Sequence, residues 1–100
     1  MFKICLIGCG GQSSRVHGPS LRKYAGFNPQ AVLAACCDID GSKAAEYSRK
    51  FGFMKYYSDF EKMLDDEKPD VVSIVTPIEA TFEVVSKVMK KGYPAIFEKP

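Results

Sequence analysis

Two places in the chain carry residues suited to chemistry. Gly8-Cys9-Gly10-Gly11 follows an apolar run, Phe2–Ile7, and Glu98-Lys99-Pro100 follows another, Tyr93–Phe97. Glycines directly after a strand let the main chain approach a diphosphate with no Cβ in the way. Backbone N–H groups and the start of the next helix then hold the anion. Gly8 and Gly10 are the first two glycines of a G-x-G-x-x-G pattern; Ser13 or Ser14 stands in place of the third. A small residue there still permits close helix–strand packing, and its hydroxyl can bond phosphate. The phosphate candidates are therefore Gly8, Cys9, Gly10, Gly11, Gln12, Ser13 and Ser14. A glycine pair also suits an ordinary strand–helix turn, and it is the place after the first strand that favours phosphate.

Asp38 ends a second apolar run, Val32–Cys37. It follows Ser13 at close to the ~20-residue interval of dinucleotide-binding units. A carboxylate there accepts hydrogen bonds from both ribose hydroxyls of an adenosine and repels a 2′-phosphate. No arginine follows it immediately, so NAD is expected over NADP. A turn or cap role is the alternative for Asp38. Thr76-Pro77 closes a fourth strand and stiffens the loop beside the expected cofactor groove, where Ser73 and Thr76 can reach the nicotinamide side. Lys99 is the catalytic candidate. A lysine just past the fifth strand points to the crevice where such sheets bind ligands. Lowered in pKa, it holds a substrate hydroxyl or moves its proton. Glu98 orients Lys99 or raises its pKa. The plain alternative is a solvated charged pair.

The remaining composition is that of an ordinary globular domain. One hundred residues bury over ~60% of their unfolded surface, enough for one core. A net charge of +2, with no basic block, gives no case for nucleic acid. No apolar run approaches the ~20 residues of a membrane span, and no signal-peptide pattern opens the chain, so a cytoplasmic location is expected. Cys5, Cys9, Cys36 and Cys37 do not have zinc-ribbon spacing, because neighbours on a strand face opposite ways. Strands carrying Cys5 and Cys36/Cys37 are expected side by side. They are either small buried hydrophobes or a disulfide or redox pair.

These residues are positioned by an alternation of strands and helices. Strands are expected at Phe2–Ile7, Val32–Cys37, Met54–Tyr57, Val71–Val75 and Tyr93–Phe97. The first helix starts near His17 or Gly18 after an extended glycine loop, with Pro19 in its first turn. A second, capped by Asp40 or Ser42, runs to Phe51 and closes at Gly52. A third starts at the capping box Ser58-Asp-Phe-Glu61 and ends near Asp66. The last, Glu79–Lys91, is expected to bury Phe82, Val85, Val88 and Met89 and to end at Gly92. Right-handed crossovers make this an α/β fold, a doubly wound parallel sheet in order 3-2-1-4-5.

With these parts in place, the chain resembles the N-terminal domain of the Gfo/Idh/MocA oxidoreductases over all 100 residues. The resemblance rests on the glycine loop followed by His17 and Leu21, Cys37-Asp38, Thr76-Pro77, Lys91-Gly92-Tyr93 and above all Glu98-Lys99-Pro100. It implies an NAD(P)-dependent dehydrogenase acting on a sugar, cyclitol or related carbonyl compound. Lys99 then contacts substrate and cofactor, and Asp38 is the acidic residue after strand 2. It also implies a homo-oligomer whose substrate-binding domain lies outside this chain, which alone turns over poorly or not at all. Two departures stand out. The loop before His17 is one residue longer than the pattern, and Ile78 and Thr81 stand where asparagine and histidine are frequent. The second reading is a non-catalytic nucleotide-binding regulator or assembly module, favoured by those replacements and opposed by Lys99.

Overall fold

The structure, a computed structural model, describes residues 1–11 and 13–97. Five parallel strands form one sheet in the order β3-β2-β1-β4-β5, the order expected. They are β1 (Phe2–Ile7), β2 (Ala31–Cys37), β3 (Lys55–Tyr57), β4 (Val71–Ile74) and β5 (Ala95–Phe97). The central strands are the apolar ones, because a parallel sheet is covered on both faces. Four helices provide the cover: α1 (Gly18–Phe27), α2 (Gly41–Phe51), α3 (Phe60–Glu67) and α4 (Ile78–Lys90).

Side chains of β1 and β2 sort into two cores, by alternation along β1 and, in β2, around a register shift that skips Ala34 and leaves Ala34 and Ala35 in the same core. Ile4, Leu6, Leu33 and Cys36 pack with Ala44, Tyr47 and Phe51 of α2 and with Leu21 and Ala25 of α1. Cys5, Ile7, Ala35 and Cys37 pack with Met63 and Leu64 of α3 and with Val85 and Val88 of α4. Cys36 and Cys37 thus face opposite ways, and β1 and β2 are neighbours, as expected. Cys5, Cys9, Cys36 and Cys37 are all buried free thiols, so the disulfide reading falls. Among the described residues, no helix is long and apolar enough to cross a membrane.

Several boundaries differ from expectation for identifiable reasons. The loop before α1 is not extended: Ser13–His17 winds as one π-helical segment running into α1. A wide turn of this kind takes up one surplus residue without breaking the helix that follows. Ser58 does not cap α3. That helix starts at Phe60, so Asp59 holds the cap position and its Oδ1 accepts the Glu61 N–H at 3.0 Å. Tyr93 and Pro94 lie outside β5, because Tyr93 takes part in closing the end of α4. There Gly92 (φ +91°) donates to the Met89 carbonyl at 2.9 Å and Tyr93 to the Val88 carbonyl at 3.3 Å, a Schellman closure.

The largest correction concerns α4. Val85 and Val88 are buried, but Phe82 is 82% exposed and Met89 62%. Helical spacing identified the apolar stripe correctly. It does not say which part of a stripe has a partner; among the described residues of α4, Val84, Val85 and Val88 pack on the sheet core.

Candidate functional site

The glycine loop leaves β1 at its carboxyl end, where the order of winding reverses between β1 and β4. Gly8 adopts φ +106°, and a Cβ there would lie 2.1 Å from the Val75 carbonyl oxygen. No other residue type fits both constraints. A Cβ on Gly10 would meet nothing within 4 Å, so that side of the loop faces open space. Gly11 lies beside Arg15, whose Nη1 would be 4.0 Å from a Cβ on the glycine. Arg15 is a cation at the loop that the glycine pattern did not single out.

Ser13 and Ser14 part company. Ser14 donates its N–H to the Gly10 carbonyl at 2.9 Å, closing the first turn. Ser13 is buried, and its hydroxyl bonds to the Tyr47 hydroxyl at 2.7 Å. Its hydroxyl is therefore committed to α2, although the residue still lines the groove. Ser13 or Ser14 stands in place of the third glycine, and Gly18 makes a close approach between elements that the glycine pattern does not include. A Cβ on Gly18 would fall 2.6 Å from the Phe51 ring of α2. A glycine inside a helical segment, next to proline, was the signal available in the sequence.

Asp38 leaves β2 pointing at the glycine loop. Its Oδ2 accepts the Cys9 backbone N–H at 2.9 Å and its Oδ1 the Asp40 N–H at 2.9 Å. A carboxylate has about four lone-pair positions, so both oxygens retain capacity for ribose hydroxyls. Asp40 caps α2, its Oδ1 accepting from the backbone N–H groups of Ser42 and Lys43. Those bonds hold its carboxyl below the usual range, the Ser42 hydroxyl contributing most.

From Gly10 and Ser13 a groove of about 700 Å³ runs along Thr76, Pro77 and α4 to Phe97. The Thr76 and Thr81 hydroxyls bond at 2.9 Å, and Thr81 Oγ1 also lies 3.1 Å from the Thr76 carbonyl and 3.0 Å from that of Pro77. Thr81 thus clasps the loop after β4. Cys9 and Cys36 are buried together in the core beneath the glycine loop. Cys9 Sγ donates to the Cys37 carbonyl at 3.5 Å, and contact with the Cys36 thiol, then burial, raises its pKa. Gln12, Glu98 and Lys99 lie outside the described residues.

The donor set fits a dinucleotide: a loop whose glycine opens onto the groove, a carboxylate one strand away, and a long cleft past β4. The comparisons agree. Residues 2–100 match the oxidoreductase family with an NAD-binding Rossmann fold, Gfo/Idh/MocA. Escherichia coli K12 D-glucoside 3-dehydrogenase is 30% identical over 99 residues, covering 99% of this chain and 27% of that protein. A dehydrogenase structure from Chromobacterium violaceum superposes with a TM-score of 0.85 at 27% identity, over 100% of this chain and 28% of that one. Levoglucosan dehydrogenase, solved with NADH, gives 0.83 at 28% identity, over 99% and 28%. The chain thus spans just over a quarter of the length of these relatives. Sheet order, glycine loop and family match lead to one conclusion: this chain belongs to the Gfo/Idh/MocA oxidoreductase family and constitutes its NAD-binding Rossmann domain.

Proposed function

We propose that the full-length protein moves a hydride between a nicotinamide dinucleotide and a carbon of a sugar, cyclitol or related carbonyl compound, with NAD preferred to NADP. The reading is carried by the Asp38 carboxylate, held at the end of β2 and bonded to the Cys9 N–H. Its negative charge suits ribose hydroxyls and opposes a phosphate in their place. The substrate class is supported by two relatives, D-glucoside 3-dehydrogenase and levoglucosan dehydrogenase.

The dinucleotide supplies the hydride chemistry when bound, and the protein supplies placement and electrostatics. Gly10, Gly11 and Gln12 offer main-chain N–H groups to the diphosphate, while Gly8, Cys9, Ser13 and Ser14 shape its bed with backbone. The N–H groups of Gly8, Cys9 and Ser14 are bonded, in turn, to the Cys37 carbonyl, Asp38 and the Gly10 carbonyl. Thr76 and Pro77 border the nicotinamide side. Lys99 holds the substrate hydroxyl and moves its proton, oriented by Glu98. The rest of the substrate pocket, with a second acid–base group, comes from residues outside these 100. A cytoplasmic homo-oligomer completes the proposal; four buried free thiols fit a reducing compartment.

The test uses the full-length protein with NAD or NADP and a panel of sugars and cyclitols, following absorbance of the reduced cofactor. Reduction of NAD by a member of the panel, and a large rate loss in Lys99→Ala with unchanged NAD affinity, support the reading. Dinucleotide binding with no turnover of any polyol or carbonyl compound would favour a nucleotide-binding regulator.

A further inference from the structure

Tyr47 sits on α2, behind the glycine loop and away from the groove. Its ring packs against Phe51, with centroids 4.6 Å apart, and against Phe53 at 5.8 Å. Phenylalanine would satisfy that packing. A buried hydroxyl is costly unless it is bonded, and both bonds of this one go to a single residue. Tyr47 Oη lies 2.7 Å from Ser13 Oγ and donates to the Ser13 carbonyl at 3.2 Å. The two bonds are mutually consistent: Tyr47 donates to the carbonyl while the Ser13 hydroxyl donates to the Tyr47 oxygen.

Ser13 begins the π-helical segment and lines the groove beside Gly10. A π turn is rarely stable by itself, so this one needs a brace. One turn further along α2, the Phe51 ring receives Gly18 with no room for a Cβ. The wide turn is therefore pinned to α2 at both ends, at Ser13 by hydrogen bonds and at Gly18 by close packing. At its own N-terminus α2 is joined to the Asp38–Asp40 turn.

We infer that Tyr47 is a positioning residue for the phosphate-binding turn, fixing the main chain at Ser13 and Ser14 before the cofactor arrives. The inference rests on the cofactor reading above and adds to it a residue that touches no ligand. Tyr47 holds the diphosphate position in register with Asp38, so one rigid helix links the two ends of the adenosine diphosphate. A site held ready in this way spends less binding free energy on ordering the loop.

The test uses Tyr47→Phe, Ser13→Ala and the double variant of the full-length protein. NADH affinity is read by fluorescence titration, adenosine affinity by competition, and amide hydrogen exchange over residues 13–17. Tyr47→Phe is expected to weaken NADH about tenfold, the scale of one or two lost buried hydrogen bonds. Adenosine, which has no diphosphate, should bind as before, and exchange should quicken over residues 13–17 but not in α3 or α4. The double variant should be no weaker than Tyr47→Phe, which already removes both bonds, and Ser13→Ala should lose less because Tyr47 keeps its bond to the backbone carbonyl of residue 13. Unchanged NADH affinity in Tyr47→Phe, or equal losses for NADH and adenosine, would overturn the inference. If the wild type binds no dinucleotide, the cofactor reading fails, and exchange alone then decides whether Tyr47 braces the turn. Should Tyr47→Phe not fold, Ser13→Ala, which removes the hydroxyl–hydroxyl bond with the aromatic core intact, carries the comparison with a smaller expected loss of NADH and none of adenosine.

Discussion

Cys9 donates its backbone N–H to Asp38 Oδ2 at 2.9 Å, so the glycine loop after β1 is tied to the end of β2 by one charge-assisted bond. The other carboxylate oxygen takes the Asp40 N–H at the entrance to α2. One side chain thereby fixes the distance between the glycine loop and the start of α2.

Asp38→Asn should separate charge from shape. The amide keeps one acceptor oxygen and loses the negative charge. NADH affinity is expected to fall about tenfold, the scale of a lost bond to a charged group. NADPH should weaken less, because its 2′-phosphate no longer meets a carboxylate. Fluorescence titrations of both cofactors with the full-length protein measure the ratio, and an unchanged ratio would remove Asp38 from cofactor selection.

Gly8 and Gly10 should fail in opposite ways when replaced by alanine. At Gly8 the methyl would press on the Val75 carbonyl in a left-handed backbone, so Gly8→Ala is expected to lose at least about 3 kcal/mol or not to fold. At Gly10 the methyl meets open space. Gly10→Ala should keep its stability within about 0.5 kcal/mol and lose dinucleotide affinity. Denaturant melts alongside NADH titration distinguish the two, and a destabilised Gly10→Ala would mean that the loop is closed against protein.

The strands and their order were legible because Ile4–Ile7 and Val32–Cys37 are apolar throughout, which only a doubly covered strand tolerates. The glycine loop and Asp38 were legible for the same reason: strand ends fix where a turn must begin. Tyr47 was not. Its partner Ser13 lies 34 residues away, and a tyrosine in an amphipathic helix reads as ordinary core. Gly18 was hidden by its neighbour Pro19, which explained the helix start without it. Ser58 displaced Asp59 as the expected cap because the S-x-x-E pattern fits a box that starts one residue too early. At Phe82 and Met89 the periodicity was right but the burial was not, since a stripe records only which residues share a face.

The cysteines should make stability fall with rising pH. Burial pushes the Cys5 and Cys37 thiols up to about 12, from an ordinary value of 9.0. Beside Cys37, the Asp38 carboxylate adds to the effect. Below pH 9 these thiols are protonated in both folded and unfolded chains and their contribution is fully present. Between 9 and 12 the unfolded chain releases protons that the folded chain keeps, so stability is lost as pH rises. Melting temperature should decline from pH 9 upward, more shallowly in Cys5→Ala. At pH 8 all four thiols should resist a maleimide until the chain unfolds, because all four are buried; fast labelling of the native protein would contradict that burial.

Phe82 and Met89 should be dispensable for the core of this chain. Both lie on the exposed part of α4, whereas Val88 on the same helix is fully buried. Phe82→Gln combined with Met89→Gln removes two large apolar side chains from the surface and leaves the sheet contacts of α4 in place. Stability of the 100-residue chain is expected to stay within about 0.5 kcal/mol per substitution. Sedimentation should show less self-association, because exposed apolar patches promote it. Val88→Ala is the control: it empties a packed position and should cost about 2 kcal/mol. A double glutamine variant as unstable as the control would show that these two side chains are packed in solution and that the exposed stripe is not the resting surface of the domain.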